Sequence, residues 1–533
     1  MTESATPRFG EWTELTSGGD PAGLLIRLLG VLRESDRSLE NGSYSYSDQN
    51  SLPPSWLIQS APDDAYCQFL DTLQAQLKSL VEAAPISTHF IDITQMGNQA
   101  VDDAFQADLI ASFVAIAKAA RKRVVIRYLE GNGAGTGVEE SMTFIEHLKR
   151  SYDGPASSNV FFYAVSFAIS WPTAPKLPGS WTHAKLFAID GITAVVGGQN
   201  DWSDYLPGNS PPHDVSIRVT GAATAAAHAF ANLLWGYVQK SPGLFHHRTW
   251  QLGAPDYDQT LPPAFDGREY PSPPPTPPAS AMPILAVGNL GLWLPGELKA
   301  LQEETNAALT DPAKRVSPQN TYSALIEAEN VLLDFPFSKF NAKTSLATQS
   351  STTARQLLFQ TLAQDGHLRM SQQKIADVDS VADGSQLLPW PGTFMTSLVS
   401  AMIKKSATVD IIVSFHDSSV ASPIDGYSDD MGAKALYGVI VDLLTTALGG
   451  DRTKAKGLAA KLLTIKETVQ ATTGVNHAKV WIVDDQLFYV GSDNVYPAYL
   501  QEFGYVIGSV PATQRFIEEY WTPIWSIATV PPE

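Results

Sequence analysis

The sequence predicts an α/β protein made of two similar units in tandem, each a sheet covered by helices. Strand-like and helix-like segments alternate, both halves show the same order of segments, and a proline-rich stretch at 261–283 separates the halves. That stretch contains YPSPPPTPPASAMP, which is too rich in proline for a helix or a central strand and is typical of a stiff connector. We therefore expect an N-terminal unit at 1–260 and a C-terminal unit at 284–533.

The order of segments can be followed through each half by their apolar patterns. In the first half we expect helices near 65–83 and 107–121, and strands at 88–94, 123–130 and 160–167. In the second half we expect helices at 353–364 and 394–406, and strands at 367–373 and 408–415. Within the 367–373 strand, Met370 and Gln372–Gln373 are interpreted as core or supporting residues.

Composition narrows the class of protein. The 533 residues are 44% hydrophobic and 17% charged, which is typical of a globular chain, and no uncharged apolar run reaches the ~20 residues that span a bilayer. The net charge of −19 argues against general nucleic-acid binding, because a phosphate backbone selects a basic surface. The single cysteine, Cys67, permits neither an intramolecular disulfide nor a cysteine-based metal cluster.

The start of the chain lacks the basic and then apolar pattern of a signal peptide. Together with the single cysteine, this favours a cytoplasmic location or export by a route that reads no amino-terminal signal. A mature secreted protein with an artificial start is the alternative.

One short pattern occurs in both halves at identical spacing. The copies are WTHAKLFAIDGITAVVGGQND and GVNHAKVWIVDDQLFYVGSDN; in each, Lys follows His by two positions, Asp by seven, Gly by 14 and Asn by 17. The five residues are His183, Lys185, Asp190, Gly197 and Asn200 in the first copy, and His477, Lys479, Asp484, Gly491 and Asn494 in the second.

This spacing predicts a β-hairpin. His and Lys two residues apart lie on the same face of a strand, and Asp190–Gly191 and Asp484–Asp485 are typical of the tight turn that follows. The return strand would bring Asn back beside His, and its final Gly would let the backbone approach a ligand closely. The odd offset of the Asp places it in the turn, so we expect Asp190 and Asp484 to have a structural role.

An imidazole, an ammonium and a carboxamide from each copy suit an anion with several acceptor oxygens, and phosphate fits best. One His can attack phosphorus as a nucleophile while the other protonates the leaving oxygen. Two Lys and two Asn would stabilise the charge on the phosphate oxygens, so we expect neither a metal nor another cofactor.

The doubled pattern resembles the phospholipase D superfamily, whose signature is His-x-Lys-x4-Asp followed by Gly-Gly/Ser-x-Asn. Four further segments are similar to the short, single-chain bacterial members: GGQNDWSDYL, MPILAVGNLG, HLRMSQQ and GSDNVYPAYLQEFGYVI. The resemblance covers about residues 85–525. It implies two α/β sandwich lobes, each a central mixed sheet flanked by helices, with one active site at their pseudo-twofold interface.

The resemblance also implies roles for individual residues. His183 matches the nucleophile, and His477 matches the general acid that later activates water or an alcohol. Lys185, Lys479, Asn200 and Asn494 match the phosphate-binding positions. A buried carboxylate holds each catalytic His in the family, and the matching positions are Asp214 and Glu502. Close bacterial relatives usually have Asp in place of Glu502, and we expect this longer side chain beside His477.

Other residues near the motifs allow more than one interpretation. Trp181, Trp202 and Tyr205 flank the first motif and are candidates to line a substrate entrance, with core packing as the alternative. His213 and the pair His246–His247 are interpreted as ordinary surface histidines.

Three functions fit the pattern. The first is a phospholipase D that works as a monomer on phospholipid at a membrane or micelle surface, releases phosphatidate and transfers the phosphatidyl group to alcohols through a phosphohistidine. The second is a superfamily nuclease, or another phosphodiesterase or phosphatidyltransferase with a non-lipid substrate; the net charge of −19 disfavours the nuclease. The third is a lipid-headgroup binder without turnover, which the complete set of His, Lys and Asn disfavours.

Overall fold

A computed structural model describes residues 20–35, 43–59, 88–97, 104–119, 122–131, 140–171, 174–200, 205, 212–240, 242–267, 282–291, 350–375, 392–415, 432–468, 475–495 and 500–530. Within these residues the strands form two large mixed sheets with helices on their outer faces. The expected α/β architecture of two sheet-and-helix units is confirmed.

The first sheet has the strand order β11-β6-β5-β4-β8-β9-β10-β2, with β3 beside β10 and β7 beside β6. Its strands are β2 Asn50–Ser51, β3 Leu57–Gln59, β4 Thr88–Met96, β5 Arg123–Gly131, β6 Val160–Trp171, β7 Ala174–Trp181, β8 Leu186–Ile189, β9 Thr193–Gly197, β10 Val215–Gly221 and β11 His246–Gln251. Strands β4, β5 and β6 run parallel, and the β8–β9 hairpin and β10 add antiparallel pairs.

The second sheet has the order β1-β12-β18-β17-β16-β13-β14-β15. Its strands are β1 Tyr44–Ser47, β12 Ile284–Leu290, β13 His367–Gln372, β14 Thr408–Val413, β15 Leu463–Glu467, β16 Lys479–Val483, β17 Leu487–Gly491 and β18 Gln501–Ile507. Strands β13, β14 and β15 run parallel, and the β16–β17 hairpin and β18 are antiparallel. The order β6-β5-β4-β8-β9-β10 of the first sheet is thus repeated as β15-β14-β13-β16-β17-β18, which supports an internal duplication.

Most helices cover the outer faces of the sheets with apolar side chains, whereas those at 224–240, 510–516 and 522–527 contribute to the core between the sheets. They are α1 Pro21–Ser35, α2 Ala104–Ala119, α3 Glu140–Ser151, α4 Thr224–Lys240, α5 Ser350–Gln360, α6 Gly392–Lys405, α7 Gly432–Ala447, α8 Arg452–Leu462, α9 Val510–Phe516 and α10 Thr522–Ile527. The α1 helix shows why the local sequence folds in this way: Asp20 accepts a hydrogen bond from the Gly23 amide at 2.8 Å, Pro21 follows it, and Leu24, Leu28 and Leu32 lie on one buried face. No helix in the described part of the chain is long and apolar enough to cross a membrane.

The two sheets share one apolar core. Strands β9 and β10 lie against β17 and β18, and the cluster between the sheets contains side chains from both halves, among them Trp56, Phe230, Phe488 and Phe503. A core that both halves build holds the two motif-bearing hairpins in a fixed relation, because large buried aromatic side chains tolerate little displacement.

The chain does not divide at residue 260 as cleanly as we expected. Helix α1 packs in the apolar cluster of the second half, and β1 pairs with β12, so these N-terminal elements join the second sheet. The first residues of the proline-rich stretch are attached to the first half: Gln239 Nε2 donates to the Pro262 carbonyl at 2.7 Å, and Asn232 Nδ2 to the Phe265 carbonyl at 3.0 Å. Residues 268–281, and the helix expected near 65–83, lie outside the described residues.

Candidate active site

Each motif forms the hairpin that its spacing predicts. In the first copy β8 and β9 pair around Asp190 and Gly191, whose φ angles are 53° and 63°; in the second, β16 and β17 pair around Asp484 and Asp485, at 51° and 55°. Two successive positive φ angles are the mark of the tight turn that matches strand twist. The motif His lies just before the regular strand in both copies.

The motif aspartates anchor the hairpin turns, so the expected structural role is confirmed. Asp190 Oδ1 accepts a hydrogen bond from the backbone N–H of Phe90 at 2.6 Å, and the other oxygen of Asp190 lies 2.8 Å from His89 Nδ1. Asp484 accepts two backbone amides from the segment that leads into β13. Both carboxylates thus tie a hairpin to the neighbouring strand, β4 in the first half and β13 in the second.

The motif glycines make room for close strand packing. A Cβ on Gly197 would lie 2.4 Å from the Ser216 Cα, and one on Gly491 would lie 2.7 Å from the Gly504 Cα. A Cβ on Gly198 would lie 2.3 Å from a carboxylate oxygen of Asp214. These glycines therefore make room for the strand and the carboxylate beside them.

A carboxylate from the opposite half holds each motif histidine. His183 Nδ1 lies 2.9 and 3.0 Å from the two oxygens of Glu502, and His477 Nδ1 lies 2.7 Å from Asp214 Oδ2. Our expectation that Glu502 lies beside His477 was wrong, because β18 runs next to the first motif: the His183 amide donates to the Gln501 carbonyl at 2.8 Å.

The backbone repeats this exchange. The His477 amide donates to the His213 carbonyl at 2.8 Å, and the His213 amide donates to the Val475 carbonyl at 2.7 Å. Each half therefore fixes the other half's histidine twice, once through the main chain and once through the ring. His213 is buried at this junction, so its interpretation as a surface residue was wrong.

The motif lysines and asparagines are all buried. Lys185 Nζ donates to the His183 carbonyl at 2.6 Å, and Lys479 Nζ donates to the His477 carbonyl and, at 2.9 Å, to Gln373 Oε1. Asn494 Nδ2 donates to the same Gln373 oxygen at 3.2 Å. Asn200 is also buried.

The charges of the two motifs act on one another as a single cluster. Burial, Lys185 and Lys479 all lower the pKa of His183 well below its usual value, and burial and the same two lysines do so for His477. Burial raises the pKa of Asp214 to about 7 and that of Glu502 to about 8, although both lysines oppose these shifts. One lysine from each half thus lies close enough to influence both histidines and both carboxylates.

Two hydroxyl groups complete the carboxylate contacts: that of Ser492, which the sequence analysis did not single out, and that of Tyr205, which was a candidate for the substrate entrance. Ser492 Oγ donates to Glu502, and Tyr205, which is 1% exposed, donates its hydroxyl to Asp214 Oδ2 at 3.0 Å and lies 2.8 Å from His477 Nδ1. Tyr205 therefore faces the histidine–carboxylate pair rather than an open rim. The signal for Ser492 was the Gly-Ser step that replaces Gly-Gly in the second motif.

The other two candidates for the substrate entrance are Trp181 and Trp202. Trp181 is partly buried and directly precedes the bridge between Thr182 and Gln501. Trp202 lies outside the described residues. The pair His246–His247 lies on the edge strand β11, and the described residues contain no group of three or more His, Cys, Asp or Glu placed to hold a metal ion.

The chain is similar to a curated protein and, more distantly, to several solved structures. The chain is 26% identical over 520 residues to a phospholipase D of Streptomyces antibioticus, which covers 93% of this chain and 85% of the relative. Among solved structures, phosphatidylserine synthase of Haemophilus influenzae Rd KW20 matches with a TM-score of 0.48 and 13% identity, over 93% of this chain and 88% of that one. Nuc, a phospholipase D family member of Salmonella typhimurium, matches with a TM-score of 0.20 and 18% identity, over 32% of this chain and 84% of that one.

No protein-family model matches the sequence. The assignment therefore depends on the doubled motif, on the repeated strand order that carries it and on similarity along nearly the whole chain. On these grounds the chain is similar to the phospholipase D superfamily along nearly its whole length.

Proposed function

We propose that this protein is a phospholipase D. It hydrolyses the distal phosphodiester of glycerophospholipids to phosphatidate and the free head-group alcohol, and it transfers the phosphatidyl group to added primary alcohols. The observation that carries the proposal is the cross-paired site, in which each buried motif histidine has its Nδ1 on a carboxylate of the other half.

The reaction proceeds in two displacements. The Nε2 lone pair of His183 attacks phosphorus, the bond from phosphorus to the head-group oxygen breaks, and His477 gives its proton to that oxygen. His477 then takes a proton from water or an alcohol, whose oxygen attacks phosphorus as the phosphorus–nitrogen bond breaks. Because Nδ1 of each ring lies on a carboxylate, Nε2 is the nitrogen available for these steps.

Phosphate oxygens are held by four donors in this mechanism. Lys185, Lys479, Asn200 and Asn494 are all buried, where water screens their charge and dipoles least. Donors fixed in advance stabilise the charge that develops on the oxygens in the transition state without reorganising when the reaction occurs.

A lipid substrate is supported by two observations. The relative that matches 93% of the chain is called a phospholipase D, and the net charge of −19 would repel a nucleic-acid backbone from most of the surface. The second observation argues against the nuclease, but it does not argue against a small non-lipid phosphodiester.

The test is a panel of phospholipid vesicles that differ in head group, incubated with and without ethanol and followed by mass detection of both products. We expect a free head-group alcohol and phosphatidate, and phosphatidylethanol when ethanol is present. Head-group release without phosphatidylethanol would contradict the accessible covalent intermediate. Failure on every lipid, with cleavage of plasmid DNA or of a soluble phosphodiester, would replace the lipid substrate with the alternative class.

A further inference from the structure

Gln373 connects the two phosphate-binding side chains of the second motif. It directly follows β13. Its backbone N–H donates at 2.9 Å to the carbonyl of Ala478, the residue between His477 and Lys479 in the chain. Its Oε1 accepts from Lys479 Nζ at 2.9 Å and from Asn494 Nδ2 at 3.2 Å. The side chain is 4% exposed, so these bonds are shielded from water.

The number of N–H donors in Lys479 and Asn494 shows how many can still bind a ligand. An ammonium group has three N–H donors, and among the described residues Lys479 uses two of them, on the His477 carbonyl and on Gln373. A carboxamide has two N–H donors, and Asn494 uses one on Gln373. One N–H of each group is left, and both groups are fixed by the same acceptor.

The acceptor is neutral, which matters for anion binding. A carboxylate at this place would pair with Lys479 and cancel the positive charge that a phosphate needs. A glutamine amide orients the ammonium group and keeps its charge available.

The first half has a different residue at the corresponding place. Thr94 pairs with Leu186 and Ser371 pairs with Val480, and both partners lie three residues after the motif histidine. Two residues beyond Thr94 and Ser371 come Met96 and Gln373. A thioether is only a weak acceptor, so Met96 cannot join a lysine to an asparagine as Gln373 does.

We propose that Gln373 is a positioning residue that aims Lys479 and Asn494 at the substrate phosphate, so that the second half supplies the pre-oriented part of the oxyanion site. This inference rests on the proposed phosphodiesterase function and deepens it. Gln373 acts through Lys479 and Asn494, and it takes no part in bond making or breaking.

The test compares Gln373→Met, which installs the residue of the first half, with Gln372→Met one position earlier. Gln372 is equally buried and donates to the Val480 carbonyl at 3.3 Å. We measure kcat and KM on a soluble 4-nitrophenyl phosphodiester, the inhibition constant of vanadate and the melting temperature. Gln373→Met should lower kcat/KM by about 10–100-fold, since small misplacements cost this much, and weaken vanadate inhibition in parallel.

Gln373→Glu separates orientation from charge. It keeps the acceptor but adds a negative charge beside Lys479, so vanadate should bind more weakly to it than to Gln373→Met. If Gln373→Met fails to fold, Gln373→Asn keeps the amide one methylene short of both donors and should show the same loss.

Three results would overturn the proposal: unchanged kcat/KM and vanadate inhibition in Gln373→Met, an equal loss in Gln372→Met, or a wild-type protein that binds no vanadate. A wild type that binds vanadate but cleaves no phosphodiester would contradict the proposed function instead. In that case the vanadate affinities of the variants still decide the role of Gln373.

Discussion

The sharpest test of the cross-paired site is Glu502→Gln. Glu502 holds His183 Nδ1 at 2.9 and 3.0 Å and also accepts from Ser492. A glutamine keeps the length and shape of the side chain. Its amide can present N–H to Nδ1, however, which would place the ring proton on Nε2 and remove the lone pair that attacks phosphorus in the proposed mechanism.

The size of the loss follows from these contacts. A hydrogen bond to a charged group contributes about 1.5–3 kcal/mol, and Glu502 makes such bonds with both His183 and Ser492. If about 3–5 kcal/mol of the free energy that orients His183 is lost, the rate falls by roughly 10²–10⁴-fold. The same carboxylate-to-amide change in a serine protease triad costs about 10⁴-fold in kcat, because it stabilises the wrong tautomer.

The assay is kcat/KM on phosphatidylcholine vesicles together with trapping of the phosphohistidine by denaturation without acid, because acid breaks its phosphorus–nitrogen bond. Glu502→Gln should slow formation of the intermediate as much as turnover. Glu502→Asp is the matched control, since it keeps the carboxylate and should retain much more activity. A Glu502→Gln enzyme within about tenfold of wild type would refute the idea that this carboxylate sets the tautomer of His183.

Three further predictions concern the same site. His183→Ala should abolish the trapped phosphohistidine, whereas His477→Ala should still form it from a 4-nitrophenyl ester, whose leaving group needs no proton; trapped intermediate in His183→Ala would reverse the roles. The plot of kcat/KM against pH should be bell-shaped, with a maximum between about 7 and 8. At lower pH the His183–Glu502 pair keeps the proton that blocks attack by His183. At higher pH the His477–Asp214 pair loses the proton that the general acid donates. A profile that rises or falls steadily across this range would contradict this assignment. Tyr205→Phe removes a donor to Asp214 and should raise the pKa of His477, moving the alkaline limb upward, while Tyr505→Phe, which loses a bond to the Ala223 carbonyl, should leave that limb unchanged.

The hairpins and their turns could be predicted because local spacing determines them. The offset of seven residues from His to Asp places Asp190 and Asp484 in turns, and both have the positive φ that such turns need. The repeated motif likewise indicated a duplication, which the repeated strand order supports.

The exchange of carboxylates could not be predicted, because it depends on how two halves dock. Glu502 is 319 positions from the histidine that it holds, and no local pattern links them. The addition of β1 to the second sheet is a similar long-range event, since β1 and β12 are about 240 residues apart in the chain. The packing role of the motif glycines could not be predicted for a related reason: the neighbouring strand that fills the space beside Gly197 is known only from the fold.

The exchange between halves also constrains how the sequence can change over evolutionary time. After a duplication, two copies usually diverge independently, but here each copy carries the carboxylate that its twin's imidazole needs. The two copies already differ, with glutamate beside Ser492 in one and aspartate beside Gly198 in the other. A longer carboxylate side chain in one copy therefore needs additional space, or a nearby hydroxyl that binds it. For this reason we expect the two halves to change together rather than independently.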